Sequence, residues 1–216
     1  MTSTVKKPQT KRQELGAHSR DEILNAAQNM MSLHGYDGAS VSRIARASGL
    51  PSSSIYWHFG SKSGVLAAVM ERGADRFFAA VATAADSDRS GLQPHEFLRS
   101  DMAFAQRAVE DNPEFLRILF LLTLSGVDDD IVMTHVREVT ERGKHELHRI
   151  IERAFAHEGE LLAKRIADEL VDYSQAAFDG AFLTIQTHSG VVYGELIDRL
   201  TDSIVALGDA IVARGQ

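Results

Sequence analysis

The sequence predicts an all-α protein, and three observations carry that prediction. Apolar residues return every three or four positions along most of the chain, the period of one helix face. No stretch alternates apolar and polar residues as a half-buried strand does. Breaks at Gly, Pro, Asn and Asp divide the periodic segments into about nine helices, and 216 residues suffice for one or two domains with a sizeable core.

The first 17 residues, rich in Thr, Lys, Ser and Gln, lack this periodicity and are expected to form a flexible basic arm, 1-17. Ser19 and Glu22 have the spacing of a capping box. Ile23, Ala26, Ala27, Met30, Met31 and His34 then recur at helical spacing until Gly35 ends the helix. After a turn at Asp37-Gly38, the Ser40 hydroxyl can cap a second, short helix that places Val41, Ile44 and Ala45 on one face before Gly49 stops it. Pro51 suits the first turn of a third short helix, running through Ile55 to His58 and ending at Gly60. A fourth, capped at Ser61, carries Val65, Leu66, Val69, Met70, Phe77, Phe78 and Val81 to a loop over Asp86 to Gly91. Five helices follow over roughly 94–111, 113–125, 129–157, 162–188 and 195–213, so that the first three elements are short and the last three long.

Composition excludes several classes. With no Cys there is no disulfide framework, thiol nucleophile, Cys zinc site or iron-sulfur cluster. The richest apolar run, Ile118 to Leu124, falls well short of the roughly 18 residues of a membrane span. Lys6, Lys7, Lys11 and Arg12 have no apolar stretch behind them, so the expectation is a cytoplasmic protein without a secretory leader or membrane partner. The net charge of -7 is unevenly placed. Residues 1–62 hold eight basic side chains (Lys6, Lys7, Lys11, Arg12, Arg20, Arg43, Arg46, Lys62) against four acidic ones, leaving 15 basic and 26 acidic for the rest. A cationic front on an anionic body suits a protein that turns one face to a polyanion.

The second and third helices, joined by Ala47-Ser48-Gly49-Leu50, have the pattern of a helix-turn-helix, whose second helix can enter a major groove. Ser52, Ser53 and Ser54 put short donors and acceptors at its tip, where base edges would be. Tyr56, Trp57, His58 and Lys62 offer hydroxyl, indole, imidazole and ammonium donors to phosphates. Ile44, Ala45, Ile55, Phe59 and Leu66 are expected in the core of this small domain. For Tyr56 and Trp57, packing is the competing role.

The run Gly35-Tyr36-Asp37-Gly38-Ala39-Ser40-Val41-Ser42-Arg43-Ile44-Ala45-Arg46-Ala47-Ser48-Gly49-Leu50, followed by Ile55-Tyr56-Trp57-His58-Phe59 and Ser61-Lys62, resembles the DNA-binding domain of the TetR family of bacterial transcriptional regulators. The resemblance covers about residues 18 to 70 without a gap. It implies a helix-turn-helix DNA-binding domain over 18-64 and a helical ligand-binding and dimerisation domain over 65-216. The implied protein is a homodimeric repressor of a pseudo-palindromic double-stranded DNA operator, released by a small-molecule effector, with no cofactor. By matching positions it implies that Ser40 caps helix two, that Ser42 and Arg43 face the groove, that Ser52 to Ser54 read bases, and that Tyr56, His58 and Lys62 hold the backbone. Pro51 departs from the family, which more often has a polar cap there.

Two features of the rear helices have their own reading. Ala176, Ala177, Gly180 and Ala181 form a small-residue stripe beside Leu170, Tyr173 and Thr184, and Leu196, Leu200, Ile204, Leu207 and Ile211 repeat at three or four in the last helix. Two such helices from each of two subunits would make a four-helix interface about a two-fold axis; the alternative is subunit core. Phe77, Phe97, Met102, Phe104, Phe120, Met133, Phe155, Phe178 and Phe182 could line a pocket for a mainly apolar or aromatic ligand, though each could be plain core. Arg107, His135, Gln175 and His188 are polar candidates to orient such a ligand.

An enzyme is not expected. His145-Glu146-Leu147-His148 sets its two His three apart, where a zinc-hydrolase helix needs four, and Asp128-Asp129-Asp130 reads as helix-start capping rather than a metal cage. A metal-dependent helical hydrolase therefore stays a remote alternative. A nearer one is a ligand-independent dimeric DNA-binding protein of architectural or division-linked function.

Overall fold

The computed structural model describes residues 11–82, 94–125 and 128–215. Among the described residues every regular element is helical: α1 (Lys11–Gly38), α2 (Val41–Ser48), α3 (Ser52–Phe59), α4 (Lys62–Ala82), α5 (Pro94–Asp111), α6 (Pro113–Ser125), α7 (Asp130–Ala154), α8 (Glu160–Thr187) and α9 (Tyr193–Gly215), with a 3-10 turn at Ala156–Glu158. The expected loop from Asp86 to Gly91 lies outside the described residues, as do Gly126 and Val127. Helices α5 and α6 have the bounds their Pro and Asn residues predict.

The start of α1 corrects the sequence reading. The helix begins at Lys11, so the end of the supposed arm is helical, and at 28 residues α1 is long rather than short. Ser19 is no cap. Its hydroxyl donates back to the carbonyl of Leu15 at 2.9 Å, the bond a Ser makes inside a helix. Lys11, Arg12, Gln13, Glu14 and Leu15 are good helix formers, and adding turns to an existing helix avoids the nucleation cost. The run stops where expected, at Gly35, whose φ of 69° interrupts the helical geometry.

Two compact units divide the chain. Met1–Gly73 with Glu114–Val136 forms the first, and Ala74–Pro113 with Arg137–Gln216 the second. The first unit thus joins residues 114–136, part of the expected 65-216 domain, to the first 73 residues. In the first unit α1, α2 and α3 pack on one another. Ile23, Leu24 and Ala27 of α1, Ile44 of α2 and Ile55 of α3 have no exposed surface, while Leu66 of α4 retains 1%. Ala45 and Phe59, expected beside them, are half-buried. Arg72 ties α4 to α1 by donating to Asn25 Oδ1 and Gln28 Oε1, both at 2.9 Å.

In the second unit α9 packs on both α8 and α5. Gly208 lets the Phe155 ring lie against the α9 backbone, where any Cβ would overlap the ring. The buried Asp101 carboxylate of α5 accepts a charged hydrogen bond from Arg153 of α7 at 3.0 Å, and the same guanidinium covers the Phe97 ring at 4.8 Å. No helix among the described residues is long and apolar enough to cross a membrane.

Candidate nucleic-acid interface

The head is assembled by caps and glycines. The backbone N–H of Arg43 donates to Ser40 Oγ at 3.3 Å, so the hydroxyl caps α2 as expected, and it also meets Ser42 Oγ at 3.0 Å. Gly49 closes α2 at φ 71°, a left-handed conformation that costs glycine nothing and turns the chain sharply toward α3. Pro51 stands one position before the first turn of α3, as its N-cap with ψ 150°, and no side chain caps the helix. The N–H of Ser54 donates to the Pro51 carbonyl at 2.9 Å, and those of Ser52 and Ser53 at the tip of α3 are left for an incoming acceptor. Ser61 caps α4, its hydroxyl accepting from the N–H of Gly64 at 3.0 Å.

These turns leave Ser42, Arg43, Ser53, Tyr56 and Trp57 exposed, with Ser52, Ser54, His58 and Lys62 partly covered. Trp57 is 77% exposed and Tyr56 54%, so packing does not explain either side chain. Arg43 is held from behind, its guanidinium donating to the Gly38 carbonyl at 2.9 Å. Lys62 Nζ lies 3.9 Å from the centroid of the Tyr36 ring. His58 stacks edge-on against Trp57 at 4.5 Å, and burial, followed by the charge of Arg20, holds its imidazole below the ordinary histidine value. Arg20 itself lies over the Phe59 ring at 5.4 Å.

Three contributors escaped the sequence reading. Tyr36 and Arg20 work through the rings and charges of their neighbours, pairings that a linear pattern does not show. Gly64 sits so close to the Phe59 carbonyl that any Cβ would overlap it, which joins the end of α3 to the start of α4 without a gap. A glycine in the first turn of an otherwise apolar-periodic helix was the available signal.

The rear candidates separate. Phe120, Met133 and His135 belong to the first unit, and Phe77, Phe97, Met102, Phe104, Arg107, Phe155, Gln175, Phe178 and Phe182 to the second. Met102 and Phe182, each 1% exposed, are plain core. Arg107 is exposed and covers its neighbour Phe104 at 4.9 Å. A cavity of about 150 Å³ lined by His95, Ala154, Phe155, His157, Val205 and Asp209 takes one residue of the expected set, Phe155.

Along α8 and α9, Tyr173, Ala177, Ala181, Thr184, Leu196 and Leu200 line an open groove of about 250 Å³ together with Arg199 and Ser203. Leu170 and Ile204 are buried inside the unit and serve its core, whereas Leu207 is 40% exposed and Gly180 faces open space. On α7, Glu146 accepts two bonds from Arg149, and His148 meets Asp168 at 2.8 Å. Asp129 Oδ1 accepts from the N–H groups of Ile131 and Val132, capping α7 as the Asp run predicted.

A short capped helix, a glycine turn and a second helix with an exposed tip make this all-α chain a helix-turn-helix protein. Its residues 23–69 match the family described as bacterial regulatory proteins, tetR family, which is the family recognised from the sequence. Over 59 residues the chain is 39% identical to the HTH-type transcriptional repressor AcnR of Corynebacterium glutamicum, a match covering 27% of this chain and 31% of that repressor. The AcnR of Corynebacterium efficiens matches to the same extent, so the chain spans about a third of the length of these curated relatives. Solved structures share the fold over most of the chain. A TetR-family transcriptional regulator from Agrobacterium tumefaciens superposes with a TM-score of 0.68 at 20% identity, covering 88% of this chain and 97% of that one. A transcriptional regulator from Saccharomonospora viridis, solved in complex with choline, gives 0.70 at 18% identity, covering 87% and 96%.

Proposed function

We propose that this protein is a homodimeric transcriptional repressor that binds a pseudo-palindromic DNA operator and leaves it when a small effector binds the rear domain. The single observation that carries the DNA-binding part is the exposed face of α2, α3 and the start of α4. There Trp57 and Tyr56 stand uncovered on α3, Arg43 and Ser53 are exposed as well, and no side chain caps the tip of α3. Ser52, Ser53 and Ser54 then read base edges, Ser42 and Arg43 reach into the groove, and Tyr56, Trp57, His58 and Lys62 hold phosphates. Ser40 contributes by fixing the start of α2.

The dimer is supported by the open α8–α9 groove, whose lining mixes Ala177, Ala181 and Leu196 with Thr184, Arg199 and Ser203, and by the exposed Leu207, a surface that a second copy would cover by two-fold symmetry. For the effector, α4 supplies a route: one helix carries Lys62 at its start and Phe77 and Phe78 near its end. A ligand that moves this helix changes the separation of the two heads, which must match about 34–36 Å or a multiple to occupy successive major grooves. That the regulator of this fold from Saccharomonospora viridis was solved in complex with choline supports the same reading.

The test is selection from random duplexes followed by affinity measurement against salt. A palindromic preference is expected, with a loss of roughly 10³ to 10⁵ in affinity between about 50 and 200 mM salt for a dimer neutralising six to ten phosphates. A protein that prefers no duplex would overturn the proposal. Effector control is tested by titrating ligands against free and operator-bound protein; equal affinities for every binder would leave the ligand-independent architectural reading.

A further inference from the structure

On the side of α8 turned away from the groove, a polar corner is left incomplete. At 100° per residue, Gln175, Phe178 and Asp179 lie on roughly the opposite side of the helix from Ala177, Ala181 and Thr184. Asp179 is half-buried and accepts a hydrogen bond from Gln175 Nε2 at 2.8 Å. Tyr193, the first residue of α9, is 5% exposed and meets the Phe178 ring edge-on at 6.3 Å. Among the described residues its buried hydroxyl has no hydrogen-bond partner. Gln106 of α5 closes the corner: a Cβ on Gly194 would lie 2.9 Å from its Nε2, and that amide donates to Glu110 at 2.8 Å. Burial first, then the charges of Asp179 and Glu110, push the Tyr193 hydroxyl up, and burial raises Asp179 as well.

Such a corner lacks a particular kind of partner. A phenolic oxygen and a carboxylate with a single amide donor both have lone pairs to spare, and nearby negative charge disfavours any anion. A metal ion would need more ligands: among the described residues no three His, Asp or Glu side chains come together to hold one. An alkylammonium group satisfies the chemistry: it can donate to both oxygens, it neutralises a charge that is costly to bury, and its carbon chain suits the apolar Phe178–Tyr193 ring pair. We infer that the Tyr193–Asp179 corner of the second unit binds the protonated amino group of a small ligand with an apolar body. This rests on the reading of the rear domain as an effector-binding domain and narrows the effector to an amine.

The experiment is calorimetric titration of the full chain with n-hexylamine, hexan-1-ol and hexanoate, which share a carbon chain and differ in head group. Hexylamine is expected to bind, with the alcohol and the acid weaker by about tenfold or more. Asp179→Asn and Tyr193→Phe should each weaken hexylamine by about tenfold while leaving duplex affinity unchanged. If Asp179→Asn fails to fold, Tyr193→Phe, which removes one oxygen, carries the test. Equal binding of amine and alcohol, or full amine affinity in Tyr193→Phe, would overturn the inference, as would no heat from hexylamine, a result that assigns the hydroxyl to a buried water. Duplex selection on the same preparations separates the two readings. Amine binding without DNA binding removes the regulator, and DNA binding without amine binding removes only this site.

Discussion

Lys62 Nζ lies 3.9 Å from the centroid of the Tyr36 ring, so the first residue of α4 is held over the segment that closes α1. A Lys fixed this way has lost much of its rotamer freedom before it meets a phosphate, which lowers the entropic cost of that contact. Lys62→Ala should therefore weaken every duplex alike and reduce the salt slope by about 1, whereas Ser53→Ala should shift base preference by about 1–3 kcal/mol at one position. Tyr36→Leu should give part of the Lys62 loss without touching sequence preference. Affinities for a selected and a scrambled duplex at several salt concentrations check all three variants.

His58 supplies a pH dependence with a definite sign. In the free protein, burial and Arg20 disfavour its protonated form. A phosphate beside the ring favours that form, so the complex takes up a proton that the free protein does not hold. Operator affinity should then rise as pH falls through the region near and below about 6.5, and His58→Gln should flatten the profile. A profile unchanged by His58→Gln would place the imidazole away from the phosphates.

The close approach at Gly64 predicts that Gly64→Ala costs about 1–3 kcal/mol, because the new methyl group must displace the Phe59 carbonyl. Chemical denaturation reads that loss. Duplex affinity should fall further than stability does, since the shift separates α3 from α4.

Ala177 and Ala181 line the open groove on α8. Ala177→Asp should split the dimer, because two-fold symmetry brings two like charges into one buried interface. Sedimentation would show a monomer, and operator affinity would drop with it. An unchanged dimer would place the interface elsewhere.

Asp179 makes a prediction about stability. Its carboxyl is raised by burial, against the opposing Gln175 hydrogen bond, so the folded state binds its proton more readily than the unfolded chain does. A group of that sign stabilises the fold at acid pH and loses the contribution as pH rises through its folded value. Asp179→Asn should therefore raise Tm at neutral pH, and the gain should disappear on acidification toward the ordinary carboxylate range. Thermal melts across pH settle the sign.

The head was legible in the sequence because its determinants are local. Ser40, Gly49, Gly60 and Ser61 act on backbone within a few residues of themselves, so the caps and turns of α2, α3 and α4 follow from composition and spacing. Apolar spacing in the same way marked Ile44, Ile55 and Leu66 as core. The start of α1 was misplaced because Ser19 has the chemistry of a cap, yet a Ser inside a helix can bond to the carbonyl four residues back instead. Tertiary structure alone decided the rest, since contacts between distant segments leave no period in the chain. Packing chose which of Met102, Phe104, Phe155, Phe178 and Phe182 became core, assigned Leu170 and Ile204 to the unit's own interior, and set Tyr36 under Lys62. It also set Tyr193 against Phe178, the neighbour of Asp179, across the α8–α9 connection, and burial there raises the cost of an unpaired polar group that spacing alone did not announce.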